Sequence, residues 1–179
     1  HIKGTIIAQG TKNLPIIFTP KTSEPGYADW DQLILKKNSV IEYAEVGYAH
    51  NGITIQGKNV VIKNSIVHHS LWSCINVNTN GAIIENNEIF ACWHQAIRVE
   101  TGNVSVIRKN IIHDAMMSVR CLAAKPTIEE NTFTNAPIDS ACSAAASNVE
   151  KDGQILFDGG TYNGQMLYKA PTVSSDKKE

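Results

Sequence analysis

Apolar and polar residues alternate in short bursts along the middle of the chain, and the bursts recur. GITIQG (52–57), CINVNT (74–79), AIRVET (96–101) and SVRCLA (118–123) each begin 22 residues after the one before. Ile53, Ile75, Ile97 and Val119 form one apolar column, and Ile55, Val77, Val99 and Cys121 form a second. Between them runs a polar column of Thr54, Asn76, Arg98 and Arg120. Period two within a burst and period 22 between bursts predict short β-strands stacked in register.

A second series supports the stacking. VIKNSI (61–66), IENNEI (84–89), IRKNII (107–112) and IEENTF (128–133) share an apolar residue, two variable ones, Asn, one more residue and an apolar residue; LKKNSV (35–40) fits as well. The column Asn38, Asn64, Asn87, Asn110 and Asn131 reads as a repeated tight turn, since Asn tolerates left-handed backbone and stacked amides can bond one another. Helices are disfavoured because VVIKNSIVHH and NVSVIRKNIIH are rich in β-branched residues and interrupted by Asn and Ser. Asn-Gly pairs occur only at 51–52, 80–81 and 163–164, too few for a hairpin series. The predicted class is all-β: a single-stranded right-handed parallel β-helix with coils of about 22 residues, none able to bury its inner face alone. Residues 1–148 are read as coils, 149–169 as C-terminal capping strands and 170–179 as a frayed tail or linker. PKTSEPGYA (20–28) reads as a surface excursion, and ACSAAASNVEKDG (141–153) as a break in the period.

GTIIAQGTKNLPIIFTP (4–20) and WDQLILKKNSVIEYAEVGYAHNGITI (30–55) resemble the entry coils of the pectin-lyase-like superfamily of extracellular bacterial and archaeal β-helix proteins. The resemblance spans roughly residues 4–145 and implies three strand positions, PB1, PB2 and PB3, joined by turns T1, T2 and T3. The fragments at 52, 74, 96 and 118 match PB1, and those at 60–63, 82–85, 104–107 and 126–129 match PB2. Ile66 and Ile89 start PB3, while 67–73, 90–95 and 113–117 form T3 loops. The resemblance also implies an extracellular or cell-surface location and a polysaccharide groove over PB1. It does not select among lyases, hydrolases, epimerases, adhesins and plain scaffolds.

Composition narrows this little. Hydrophobic content of 42% and charged content of 18% describe a folded domain, and a net charge of −1 gives no case for nucleic acid. No apolar run is long enough for a spanning helix, so no membrane insertion is expected. The opening His1-Ile2-Lys3-Gly4 is no signal peptide, which suggests a piece of a larger polypeptide. A terminal His1 is also the residue type of a copper-chelating brace. Four cysteines, at 74, 92, 121 and 142, are spaced too widely for a CxxC zinc site. Cys121 and Cys142 face inward in successive coils, as a disulfide or a thiol stack; Cys74 faces outward.

The outward PB1 residues are Gln56, Asn76, Asn78, Arg98, Glu100 and Arg120. Arg98 and Arg120 stand about 4.8 Å apart at the backbone and repel unless an anion, from Glu100 or a ligand, lies between them. Counting back three from each first apolar residue gives a rim of His50, Trp72, His94 and Met116. Elimination on a uronate needs a base and a cation that stabilises the developing anion. The catalytic set is therefore His94, Arg98 and Arg120; the substrate-binding set is His50, Trp72, Asn76, Asn78 and Glu100. Glu100 is the only outward carboxylate, which weighs against paired-carboxylate hydrolysis. The expected function is binding, and at most cleavage, of an acidic polysaccharide; the competing reading is a structural or adhesive spacer. A third, metal-binding, reading groups His69 with Cys92 and His68 with Asp114 on T3. No cofactor is expected.

Overall fold

The computed structural model describes residues 4–101 and 104–151, together with the backbone of 161–162 and 165–166. The His1 brace and the tail 170–179 lie outside the described residues, as does most of the capping segment 152–168.

The chain winds as a parallel β-helix. PB2 is a six-stranded parallel sheet built from Ile7–Gln9, Val40–Glu42, Val61–Lys63, Ile83–Glu85, Val106–Arg108 and Thr127–Glu129. PB1 and PB3 belong to one larger sheet, because two long strands, Glu88–Thr101 and Ile111–Cys121, run through both faces. In those two coils T3 is therefore extended strand and not the loop expected over 90–95 and 113–117. The register pairs Ile53 with Ile75, Ile75 with Ile97 and Ile97 with Val119. These four, with Ile55, Val77 and Val99, are wholly buried. Full burial of such a side chain stabilises by about 1.5–3 kcal/mol, so the inward columns hold the coils together. Ile62, Ile84, Ile107 and Ile128 line the PB2 wall, and Val67, Ile89, Ile112 and Phe133 the PB3 wall.

The expected Asn column separates into three positions. Asn38 lies in T1, between Leu33–Leu35 and Val40–Glu42. Asn64 holds a left-handed position in T2 (φ 53°), followed in later coils by Asn86, Lys109 and Glu130. Asn87, Asn110 and Asn131 stand one residue further on, buried and facing inward. Ser65 precedes them: its N–H donates to Asn87 Oδ1 at 3.0 Å. VIKNSI thus lies one residue out of register with the later fragments, and LKKNSV crosses from PB1 through T1 into PB2. The same slip affects PB3, where Ile66 pairs with Glu88 and Ile89 pairs with Val67.

At 141–151 the period breaks, but the winding continues. Asn148 supplies the next rung, and Val149–Lys151 adds a parallel PB3 strand on Thr132–Thr134. The coil shortens to 17 residues between Asn131 and Asn148. Thr161–Tyr162 and Gln165–Met166 pair antiparallel.

Candidate functional site

Alternate residues of a strand face opposite ways, so the buried PB1 isoleucines force their neighbours outward. Thr54, Asn76, Arg98 and Arg120 are register neighbours in four successive strands, as the period predicts. Thr54 is buried, its hydroxyl donating to Gln32 Oε1 at 2.6 Å. Asn76, Arg98 and Arg120 remain half-buried on the open face.

Arg98 Nη2 pairs with Glu100 Oε1 at 3.0 Å. Asn78 and Glu100 do not share the column expected of them. A β-bulge carries the pairing from Val99–Val77 to Thr101–Asn78, leaving Glu100 as the extra residue. Arg120 has no ion-pair partner among the described residues. On PB2 the stacked cations are matched instead, Lys63 to Glu42 at 3.0 Å and Arg108 to Glu85 at 3.0 Å. PB1 thus carries two guanidiniums in adjacent strands, of which one is ion-paired among the described residues; Asp139 follows in the next coil, its N–H donating to Val119 O at 3.0 Å. Two further polar atoms there, Asn76 Oδ1 and Arg98 Nε, are buried without a hydrogen bond.

The rim is assembled by backbone bonds between coils. Trp72 N–H donates to His50 O at 2.8 Å and His94 N–H to Trp72 O at 3.2 Å. Trp30 joins the same rim, because His50 N–H donates to Trp30 O at 2.8 Å. Its step to His50 is 20 residues, which hid it from a search at 22. The Trp72 and His94 rings lie 3.9 Å apart between centroids, tilted by 35°. Asn51 Nδ2 donates to His50 Nδ1 at 3.1 Å. Met116 is not a simple fifth member: a bulge sets both Trp93 and His94 against it.

Burial holds the His94 imidazole below its ordinary pKa, and the charges of Arg120 and Arg98 lower it further. The site therefore joins an imidazole kept neutral, an exposed indole face, and an under-neutralised guanidinium pair. Such a set can receive an anion, stack a pyranose ring and accept a proton.

Cys74 does not face outward, and Cys92 does not stack on His69 as the T3 metal reading requires. Cys74 and Cys92 form a disulfide, Cα atoms 5.7 Å apart, and both are wholly buried. Alternation counted back from Ile75 fails at this corner, where the chain turns from T3 into PB1. Cys92 is register partner of Ala115 and not of His69, whose backbone bonds run to Phe90. His68 instead aligns with Phe90 and His113, and the three rings stack nearly parallel at 5.2 and 4.9 Å. Among the described residues no cluster of His, Cys, Asp and Glu is arranged to hold a metal. Cys121 and Cys142 form the second disulfide, settling the alternative left by their spacing.

No curated protein and no solved structure matches the chain. A family model described as "Right handed beta helix region" matches residues 31–161. That match covers most of the chain, includes every PB1 strand and agrees with the stacked register, so this protein belongs to the right-handed β-helix family.

Proposed function

We propose that the PB1 face binds an acidic polysaccharide, a uronate polymer, outside the cell. The carrying observation is the charge at the stacked pair: Arg98 and Arg120 are register partners, Glu100 pairs with Arg98, and Arg120 has no ion-pair partner among the described residues. Guanidinium groups bind carboxylates with matched geometry, so a uronate between the two relieves their repulsion. Trp72 and His94 beside them provide the apolar face that a sugar ring covers. β-Helix folds of this kind serve polysaccharide-binding and adhesive modules generally. Two disulfides with no free cysteine support an oxidising, extracellular setting.

Titration calorimetry with polygalacturonate and with a neutral glucan tests the reading. Binding of the first only, weakened about tenfold or more in Arg98→Ala/Arg120→Ala, is expected. Equal binding of both polymers, or none of either, rejects it. In the latter case a spacer role remains, which the buried Asn ladder favours as a device that sets length.

Elimination is a narrower reading, favoured by the neutral His94 next to both arginines. It requires ultraviolet absorbance from an unsaturated product that is lost in His94→Ala while polymer binding persists.

A further inference from the structure

We propose a second anion subsite at the T1 edge of the first two coils, formed by Lys36, Lys37 and Lys58, which takes another acidic group of the same polymer. It rests on the reading of PB1 as a glycan-binding face. Strand Leu33–Leu35 runs into Lys36 and Lys37, and strand Ile53–Ile55, its register partner, runs into Gln56, Gly57 and Lys58. The two turns pack backbone against backbone. A Cβ on Gly57 would collide with the main chain of Lys36 and Lys37, so only glycine permits this approach. Asn38 and Asn59 both adopt left-handed backbone, φ 60° and 59°, and stack through Asn59 Nδ2 donating to Asn38 Oδ1 at 3.3 Å. Asn38 N–H donates to Lys58 O at 2.9 Å. The three ammonium groups thus leave a pinned double turn and not two independent loops.

Their charge is unanswered. Residues 35–40 (LKKNSV) and 55–61 (IQGKNVV) contain no carboxylate. Among the described residues none of the three lysines has an ion-pair partner, and Lys36 Nζ donates only to Gln56 Oε1. Lys109, also in a turn, does have one, with Glu130 at 3.9 Å. Lys37 and Lys58 are exposed.

Position links this patch to the arginines. Lys36, Gln56 and Asn78 follow the last inward residue of successive PB1 strands, so the patch continues the same face. Two coil steps separate the Lys58 turn from Arg98, and four separate Lys36 from Arg120, roughly 10 and 19 Å along the axis. One uronate cannot reach both groups. A polymer with an acidic group on every sugar, or every second sugar, can.

The experiment compares Lys37→Gln/Lys58→Gln with Arg98→Ala/Arg120→Ala, using calorimetry on long polygalacturonate and on digalacturonate. Far-ultraviolet circular dichroism and thermal unfolding verify that each variant keeps the native fold. The lysine variant should bind the polymer about three- to tenfold more weakly, with a shallower salt dependence, and bind digalacturonate unchanged. Unchanged polymer affinity in the lysine variant, with loss in the arginine variant, overturns the second subsite and leaves the PB1 reading standing. Full polymer binding in the arginine variant overturns the PB1 reading itself. Equal weakening for disaccharide and polymer overturns the subsite in favour of a diffuse basic field. Single-stranded DNA bound as tightly as polygalacturonate overturns the glycan assignment.

Discussion

Asn110 Nδ2 donates to Asn131 Oδ1 at 2.9 Å across one coil step, and the same nitrogen donates to Ile84 O at 3.0 Å. Asn110 Oδ1 in turn accepts both the N–H and the Nδ2 of Asn87, each at 3.0 Å. Two donors and two acceptor sites are all the bonds an amide side chain can make, and every one is filled. Asn131 repeats the arrangement with Asn148. A saturated ladder inside an apolar wall fixes which coil residue faces inward, because any slip leaves buried polar atoms unpaired.

Asn110→Ala should therefore cost about 3–5 kcal/mol, since it strands groups on both neighbouring coils. Asn64→Ala should cost only about 1–2 kcal/mol, the penalty of left-handed backbone without Asn, and Asn64→Gly should be close to neutral. Urea unfolding of the three variants tests the separation of the two positions. Equal costs for the two alanine variants would return Asn64 and Asn110 to one column.

The disulfides close segments of 18 and 21 residues, Cys74 to Cys92 and Cys121 to Cys142. Loop-closure entropy for such lengths stabilises by about 3 kcal/mol each. Cys74→Ala/Cys92→Ala should lower the denaturant midpoint accordingly. Thiol titration in denaturant should find no reactive cysteine before reduction and four after it. A reactive thiol before reduction would contradict the pairing.

His94 should titrate below the ordinary imidazole range in a ring-proton NMR experiment, because burial and two arginines disfavour its charged form. The sign follows for stability. Below about pH 6.5 the unfolded chain takes a proton that the folded site resists, so this residue's contribution is present at neutral pH and declines on acidification. Arg120→Ala removes the larger of the two charge effects and should raise the His94 titration point. A titration point that does not move would place Arg120 too far away to act.

Much of this molecule was legible because PB1 keeps one length. From Gly52 to Ala123 each coil adds 22 residues, so identity and spacing alone stack Ile75 on Ile53 and Arg120 on Arg98. T2 was misread because serine and asparagine occupy the same inward rung. Ser65 accepts the Ala44 N–H at 3.1 Å as Asn87 accepts that of Ser65 at 3.0 Å, so a column traced by Asn alone takes Asn64 by mistake. Cys74 was misplaced because alternation holds along a strand and lapses at its corner. At the site, the columns were visible but the bulge at Glu100 was not, since an extra residue within one strand leaves the outer period untouched.

On the proposed reading of PB1 as a uronate-binding face, that bulge bears on affinity. Glu100, turned back onto Arg98 at 3.0 Å, occupies the position in which a bound carboxylate would meet the guanidinium. An acidic ligand must displace it or settle for Arg120 alone. Glu100→Gln keeps the shape and removes the competing charge, so affinity for polygalacturonate should rise about three- to tenfold, with a cost of about 1 kcal/mol or less for a half-exposed pair. Side-by-side calorimetry of Glu100→Gln and Glu100→Gln/Arg98→Ala separates the causes. The gain should vanish in the double variant, because the charge set free by removing Glu100 is that of Arg98. A gain that survives without Arg98 would mean that Glu100 repels the polymer from elsewhere on the face.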